Sequence, residues 1–144
     1  MKNNIFYINN YPWGRPEICP DSFAEINLCD DGILIHLSTD EQNIRATVTE
    51  DNGPVCQDSC LEFFFSPCPE ISNAYFNFEI NANGVLNAHF RKDRLDKLPL
   101  TVGDAEALNI KAQVFDDFWT VDYTVTFDFI KKFIPTYEFK QGMK

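Results

Sequence analysis

Along nearly the whole chain, apolar and polar residues alternate with a period of two. That is the spacing of a half-buried strand, not the 3.6 of a helix. "NIFYI" (4–8) is a short apolar run, and "SFAEINL" (22–28) and "GILIHLS" (32–38) flank "CDDG", which predicts a hairpin. "NIRATVT" (43–49) alternates cleanly and is expected to be a strand, followed by the turn cluster "EDNGP" (50–54). "DSCLEFFF" (58–65), "AYFNFEIN" (74–81) and "VLNAHFR" (85–91) come next, the last two joined by "NANG" as a tight hairpin. Residues 92–108 are charged and carry no strand pattern, so a surface loop with a helical turn is expected. "NIKAQVF" (109–115) and "FWTVDYTVTF" (118–127) flank "DD" as another hairpin, and "DFIKKFIP" (128–135) reads as one helical turn stopped by Pro135.

Short strands separated by turn signals predict an all-β fold, an antiparallel β-sandwich. With 144 residues the chain fits one domain, 1–144, long enough to bury roughly 70% of its unfolded surface. It shows no internal repeat, linker or low-complexity segment.

Alternation also sorts side chains by face. Leu61, Phe63 and Phe65 share one face of their strand, and Cys60, Glu62 and Phe64 the other. Phe76, Phe78 and Ile80 oppose Tyr75, Asn77, Glu79 and Asn81. Leu86, Ala88 and Phe90 oppose Val85, Asn87 and His89, while Ile44, Ala46 and Val48 oppose Arg45, Thr47 and Thr49. The polar faces are expected to add up to one surface carrying Arg45, Glu62, Tyr75, Asn77, Glu79, Asn87 and His89. Such a surface offers donors, acceptors and an aromatic ring, which suits carbohydrate hydroxyls that both donate and accept. The plain reading is a solvated sheet face on which Arg45 pairs with a carboxylate for little net energy.

A formal net charge of −10 argues against nucleic acid, whose phosphates need cationic partners, and against anionic membrane surfaces. No apolar run reaches the 18 residues of a membrane-spanning helix. The N-terminal stretch lacks a signal-peptide core, so the chain as it stands is expected in the cytoplasm, or outside the cell if a leader has been removed. Five cysteines cannot all pair within the chain, none forms a CxxC, and reduced thiols are expected.

Trp119 begins the alternation that runs to Phe127 and is expected in the core. Trp13 lies in the loop "YPWG", outside any alternation, where it is either a loop anchor or a ligand contact. Glu62 and Glu79 could also be read as a glycosidase pair, although many sheets set two carboxylates at such a spacing. Asp30, Asp31 and Asp40 are candidate ligands for a structural calcium ion. His36 and His89 stand alone, with no nucleophile at triad spacing.

"RATVTEDNGPV" (45–55), "DSCLEFFFSP" (58–67) and "YFNFEINANG" (75–84), in this order and spacing, resemble the family 9 carbohydrate-binding module. "YPWGRPEICP" (11–20) and the block from "DDFWTVDYTVTF" to Pro135 (116–135) also resemble it. The resemblance implies a β-sandwich of jelly-roll type that binds glycans without cleaving them, often beside glycoside hydrolases, and in many members a structural calcium. It makes Glu62 the sugar-binding glutamate of the D-S-x-x-E pattern, with Trp13, Arg45, Asn77 and Glu79 as further ligand-binding candidates. The chain departs from the pattern at Cys56, where the family often has a Trp, at Glu79, near the family's arginine, and after Pro135, where the family continues with another strand. A missing strand would leave a sheet edge open, which a second copy of the chain could cover as a homodimer. A sandwich that has lost sugar binding and serves as a structural or interaction domain is the alternative.

Overall fold

Among the described residues of the structure, a computed structural model covering 4–12, 14, 15 and 17–140, nine strands form two antiparallel sheets. The strands are β1 (Ile5–Tyr7), β2 (Ser22–Cys29), β3 (Gly32–Thr39), β4 (Cys60–Phe65), β5 (Tyr75–Asn81), β6 (Leu86–Arg91), β7 (Lys97–Pro99), β8 (Lys111–Val114) and β9 (Trp119–Thr126). One sheet has the order β1-β2-β3-β9-β8 and the other β4-β5-β6-β7. This is the expected sandwich, and the two short helices, α1 (Val102–Leu108) and α2 (Phe127–Phe133), lie in the connections.

The turns fall where their chemistry predicts. Cys29 pairs with Gly32 to close the β2–β3 hairpin. Gly32 is required there, because a Cβ would stand 2.6 Å from the Val125 carbonyl oxygen of neighbouring β9. Between β5 and β6, Gly84 takes φ +79°, and the Asn81 side-chain oxygen accepts from the N–H groups of Asn83 (3.1 Å) and Val85 (3.0 Å). Phe115 N–H donates to Phe118 O at 2.8 Å around Asp116–Asp117.

The core lies between the sheets and is built from the predicted faces. Phe76, Phe78 and Ile80 of β5 meet Ile35 and Leu37 of β3 and Trp119, Val121 and Val125 of β9, all nearly or fully buried. Phe76 is central, its ring centroid 5.0 Å from Phe90, 5.3 Å from Phe133, 5.5 Å from Phe65 and 5.6 Å from Phe129. Trp119 is in the core as expected, and its indole N–H donates to Glu41 Oε2 at 3.3 Å. α1 begins with a capping box between Thr101 and Asp104, and buried Asp104 also takes the Lys132 ammonium of α2 at 2.5 Å. Burial alone would raise the Asp104 pKa; the Lys132 and Thr101 donors outweigh it and hold the carboxylate below its usual range.

Two segments depart from the sequence pattern. Residues 43–49 form no strand. Ile44 and Ala46 still pack on the core, so the alternation reports the faces correctly. The backbone, however, is satisfied by side chains: Thr47 and Val48 N–H donate to Asp58 Oδ2 at 2.9 and 2.8 Å, and Arg45 N–H donates to Ser59 Oγ at 3.0 Å. Asn81 and Asn83 amides donate to the Val48 and Ala46 carbonyls at 2.9 and 3.0 Å. The charged stretch 92–108 contains β7 as well as the helical turn, because Phe90 and its neighbours pair with Leu98 and its neighbours.

Candidate functional site

The outward face of the four-stranded sheet is ordered in rows by the strand register. Glu62 of β4, Glu79 of β5 and Asn87 of β6 stand opposite one another in one row. Phe64, Asn77, His89 and Pro99 form the next. Tyr75, Arg91 and Lys97 form a third. Three of the expected residues, Glu62, Asn77 and Glu79, are therefore brought together with Asn87 and His89.

Glu79 is the hinge of the arrangement. Its Oε1 accepts the Asn77 side-chain amide and its Oε2 the Asn87 amide, both at 2.9 Å. Both carboxylate oxygens are thus fixed in direction by the sheet's own side chains. Glu62 faces Glu79 across the strands and is exposed. Partial desolvation, and then the Glu79 charge, push its pKa up. The same two carboxylates, after burial, push the neighbouring Cys60 thiol up to about 12, so it stays a protonated, unreactive group.

Asn77 and His89 sit on an outward face and yet are only 3% and 7% exposed. Asn77 Oδ1, His89 Nδ1 and Arg91 Nε are buried and have no hydrogen-bond partner among the described residues. Burial and the Arg91 and Lys97 charges lower the His89 pKa, which leaves a neutral imidazole at pH 7. Three unmet polar atoms on adjacent strands are costly, at about 1–3 kcal/mol each when sealed from water, and such groups concentrate where a ligand or ordered water completes them.

The other candidates fall elsewhere. Arg45 is not on a strand of this sheet. It lies in the side-chain-anchored segment, 64% exposed at its side chain, with Nε 3.5 Å from Asp58 Oδ1. Trp13 lies outside the described residues. Cys56, where the resemblance implies a Trp, is exposed on the 3-10 turn Val55–Gln57. Among the described residues no three His, Cys, Asp or Glu side chains gather as a metal site. Asp40, one of the calcium candidates, accepts the Asp21 N–H at 2.7 Å.

Sequence reasoning missed Asp58. Its side chain is fully buried, which would raise its pKa, but donors from Val48, Thr47 and Asn81 prevail and hold it well below the carboxylate range. The signal was present in the D-S-x-x-E pattern, whose Asp and Ser position the loop while its Glu faces outward.

Residues 1–114 match the family model described as Carbohydrate-binding family 9. The chain belongs to that family. The matched range runs from the N-terminus through β8, so the family 9 assignment covers the whole four-stranded sheet and its polar face, while the block 116–135 lies beyond it. A solved structure of a candidate carbohydrate-binding protein from Bacteroides uniformis ATCC 8492 is similar in fold, with a TM-score of 0.75 at 20% identity. The similarity covers 94% of this family 9 chain and 64% of the Bacteroides chain, so this chain spans less than two thirds of that relative. No curated protein matches. Among the described residues no helix is long and apolar enough to cross a membrane.

Proposed function

We propose that this family 9 chain is a non-catalytic module that binds neutral glycans, of plant or other origin, on the outward face of β4–β6 and serves carbohydrate catabolism beside glycoside hydrolases. The observation that carries the reading is the Asn77–Glu79–Asn87 ladder, next to Glu62 and to the unmet polar atoms of Asn77 and His89. A carboxylate locked by two amides presents acceptor directions at no further ordering cost, which is the preorganisation a weakly binding hydroxyl ligand requires. Calorimetric titration with xylan, cellulose and mixed-linkage oligosaccharides tests it. Saturable heat that falls at least about tenfold in affinity in Glu79→Gln is expected, the loss of one charge-assisted hydrogen bond. Silence across the panel with a folded protein sinks the reading.

A second reading, an interaction domain, is favoured by an apolar cleft of about 730 Å³ at the side of the sandwich where β1, β2 and β4 approach. Phe6, Ile8, Leu28 and Phe139 line it and are 59%, 47%, 62% and 40% exposed. A second copy of the chain laid along the open β4 edge would cover these groups. Light scattering across a concentration series decides this point, and a monomer throughout removes the dimer.

A further inference from the structure

The five-stranded sheet has an outward face of its own, on the opposite side of the sandwich. Its register sets Glu25, His36, Asp122 and Lys111 in one row across β2, β3, β9 and β8. His36 Nδ1 lies 2.7 Å from Asp122 Oδ1, which fixes the ring within the row. In the next row Tyr7, Phe23, Ser38 and Thr120 stand side by side.

Two depressions open on this face. One, of about 580 Å³, is walled by Tyr7, Phe23 and Phe118 over a floor that includes Ser38 and Thr120. The other, of about 420 Å³, is lined by Glu25, Lys111, Asp122 and Thr124. His36 lines both, so they meet as one trough across the strands. Each volume falls in the range of small-molecule sites. Ser38 and Thr120 are only 7% and 5% exposed despite facing outward, which places them at the bottom of the trough. The rings above them are not spent on the core: Tyr7 is 70% exposed and Phe118 42%.

We propose that this trough is a second saccharide site, independent of the face of the four-stranded sheet. Tyr7, Phe23 and Phe118 offer ring surface to the apolar C–H face of a sugar. The row from Glu25 to Lys111 offers donors and acceptors to the hydroxyls of the next sugar along. The Glu25 and Asp122 carboxylates share that row with the Lys111 ammonium, and Asp21 and Asp40 border the aromatic end, so the ligand is an uncharged oligosaccharide and not an anionic one. The ligand class rests on the proposed glycan-binding function; the position does not.

The test is an amide chemical-shift titration of the full chain with neutral xylo-, cello- and manno-oligosaccharides, and with a cationic glucosamine oligomer as comparison. It is repeated in Tyr7→Ala and Phe118→Ala, two exposed positions, and in Glu79→Gln, with the dispersed amide spectrum of each variant checking that it folds. Shifts at His36, Ser38 and Thr120 with a neutral sugar are expected. They should weaken roughly two- to tenfold in Tyr7→Ala and Phe118→Ala, the loss of a stacked ring, and persist in Glu79→Gln. Shifts confined to the region of Glu62, Asn77 and His89 overturn this proposal and sustain the first site. Shifts confined to the trough do the reverse. A response to the cationic oligomer alone overturns the neutral-ligand assignment, and no response to any sugar overturns both.

Discussion

The Asn81 side-chain amide donates to the Asp58 carboxylate at 3.0 Å, joining the turn before β4 to the end of β5. The same carboxylate receives two backbone N–H groups and the Thr47 hydroxyl. One buried acid, with Ser59, Asn81 and Asn83 beside it, therefore stands in for the ladder that a strand at 43–49 would have had.

Asp58→Ala is expected to lower Tm more than Asp93→Ala, whose carboxylate also accepts backbone N–H groups but on an exposed turn. The acid limb follows from the sign of the shift. The native pKa of Asp58 lies below its unfolded value, so its stabilisation is complete above the unfolded pKa and is lost as pH falls through the native one. Thermal melts from neutral to acid pH should show wild type and Asp58→Ala converging at low pH. A constant gap across the range contradicts the assignment.

Glu62 behaves in the opposite sense. Its pKa is raised in the folded state, so its protonated form favours folding and that advantage disappears as pH rises through the native value. Glu62→Gln is expected to raise Tm at pH 7, and the gain should vanish below the carboxylate range. Paired melts at the two pH values check this. An unchanged Tm at pH 7 removes the coupling to Glu79.

Tyr123 lies in the core at 4% exposure, and its hydroxyl has no partner among the described residues. Deleting an unpaired buried hydroxyl relieves a desolvation cost without opening a cavity. Tyr123→Phe is expected to be stabilising by about 1 kcal/mol. A urea midpoint that moves downward shows that the hydroxyl is satisfied after all.

Phe76 touches five other aromatic rings and is fully buried. Phe76→Ala should cost about 3–5 kcal/mol, enough to threaten folding at 37 °C. Phe64→Ala, on the same sheet but 51% exposed, should cost far less. Denaturant unfolding of both variants separates a core role from mere sheet propensity.

The strands and their faces were legible because alternation records which side of the chain meets the core. Phe76, Phe78 and Trp119 were assigned inward by that rule and are buried. Alternation says nothing about who satisfies the backbone, and that is why 43–49 looked like a strand and Arg45 looked like part of the sheet surface. β7 was missed because its three residues are all exposed and owe their extended form to pairing with β6. The burial of Asn77 and His89 was also invisible, since it depends on cross-strand neighbours and not on their own strand. The Asp58 network was hidden for a related reason: its partners lie 10, 11 and 23 residues away.

The anchors of the segment 45–48 come mostly from outside it, from Asp58, Ser59, Asn81 and Asn83. They hold mainly its peptide groups; of its side chains, Asp58 takes the Thr47 hydroxyl and lies 3.5 Å from the Arg45 guanidinium. The segment is therefore a mounting bracket whose outer fittings can be exchanged: exposed Arg45 and Thr47 can be rewritten for a new contact surface while the path stays pinned by its peptide groups and by Ala46 on the core, and β4 keeps its register with β5.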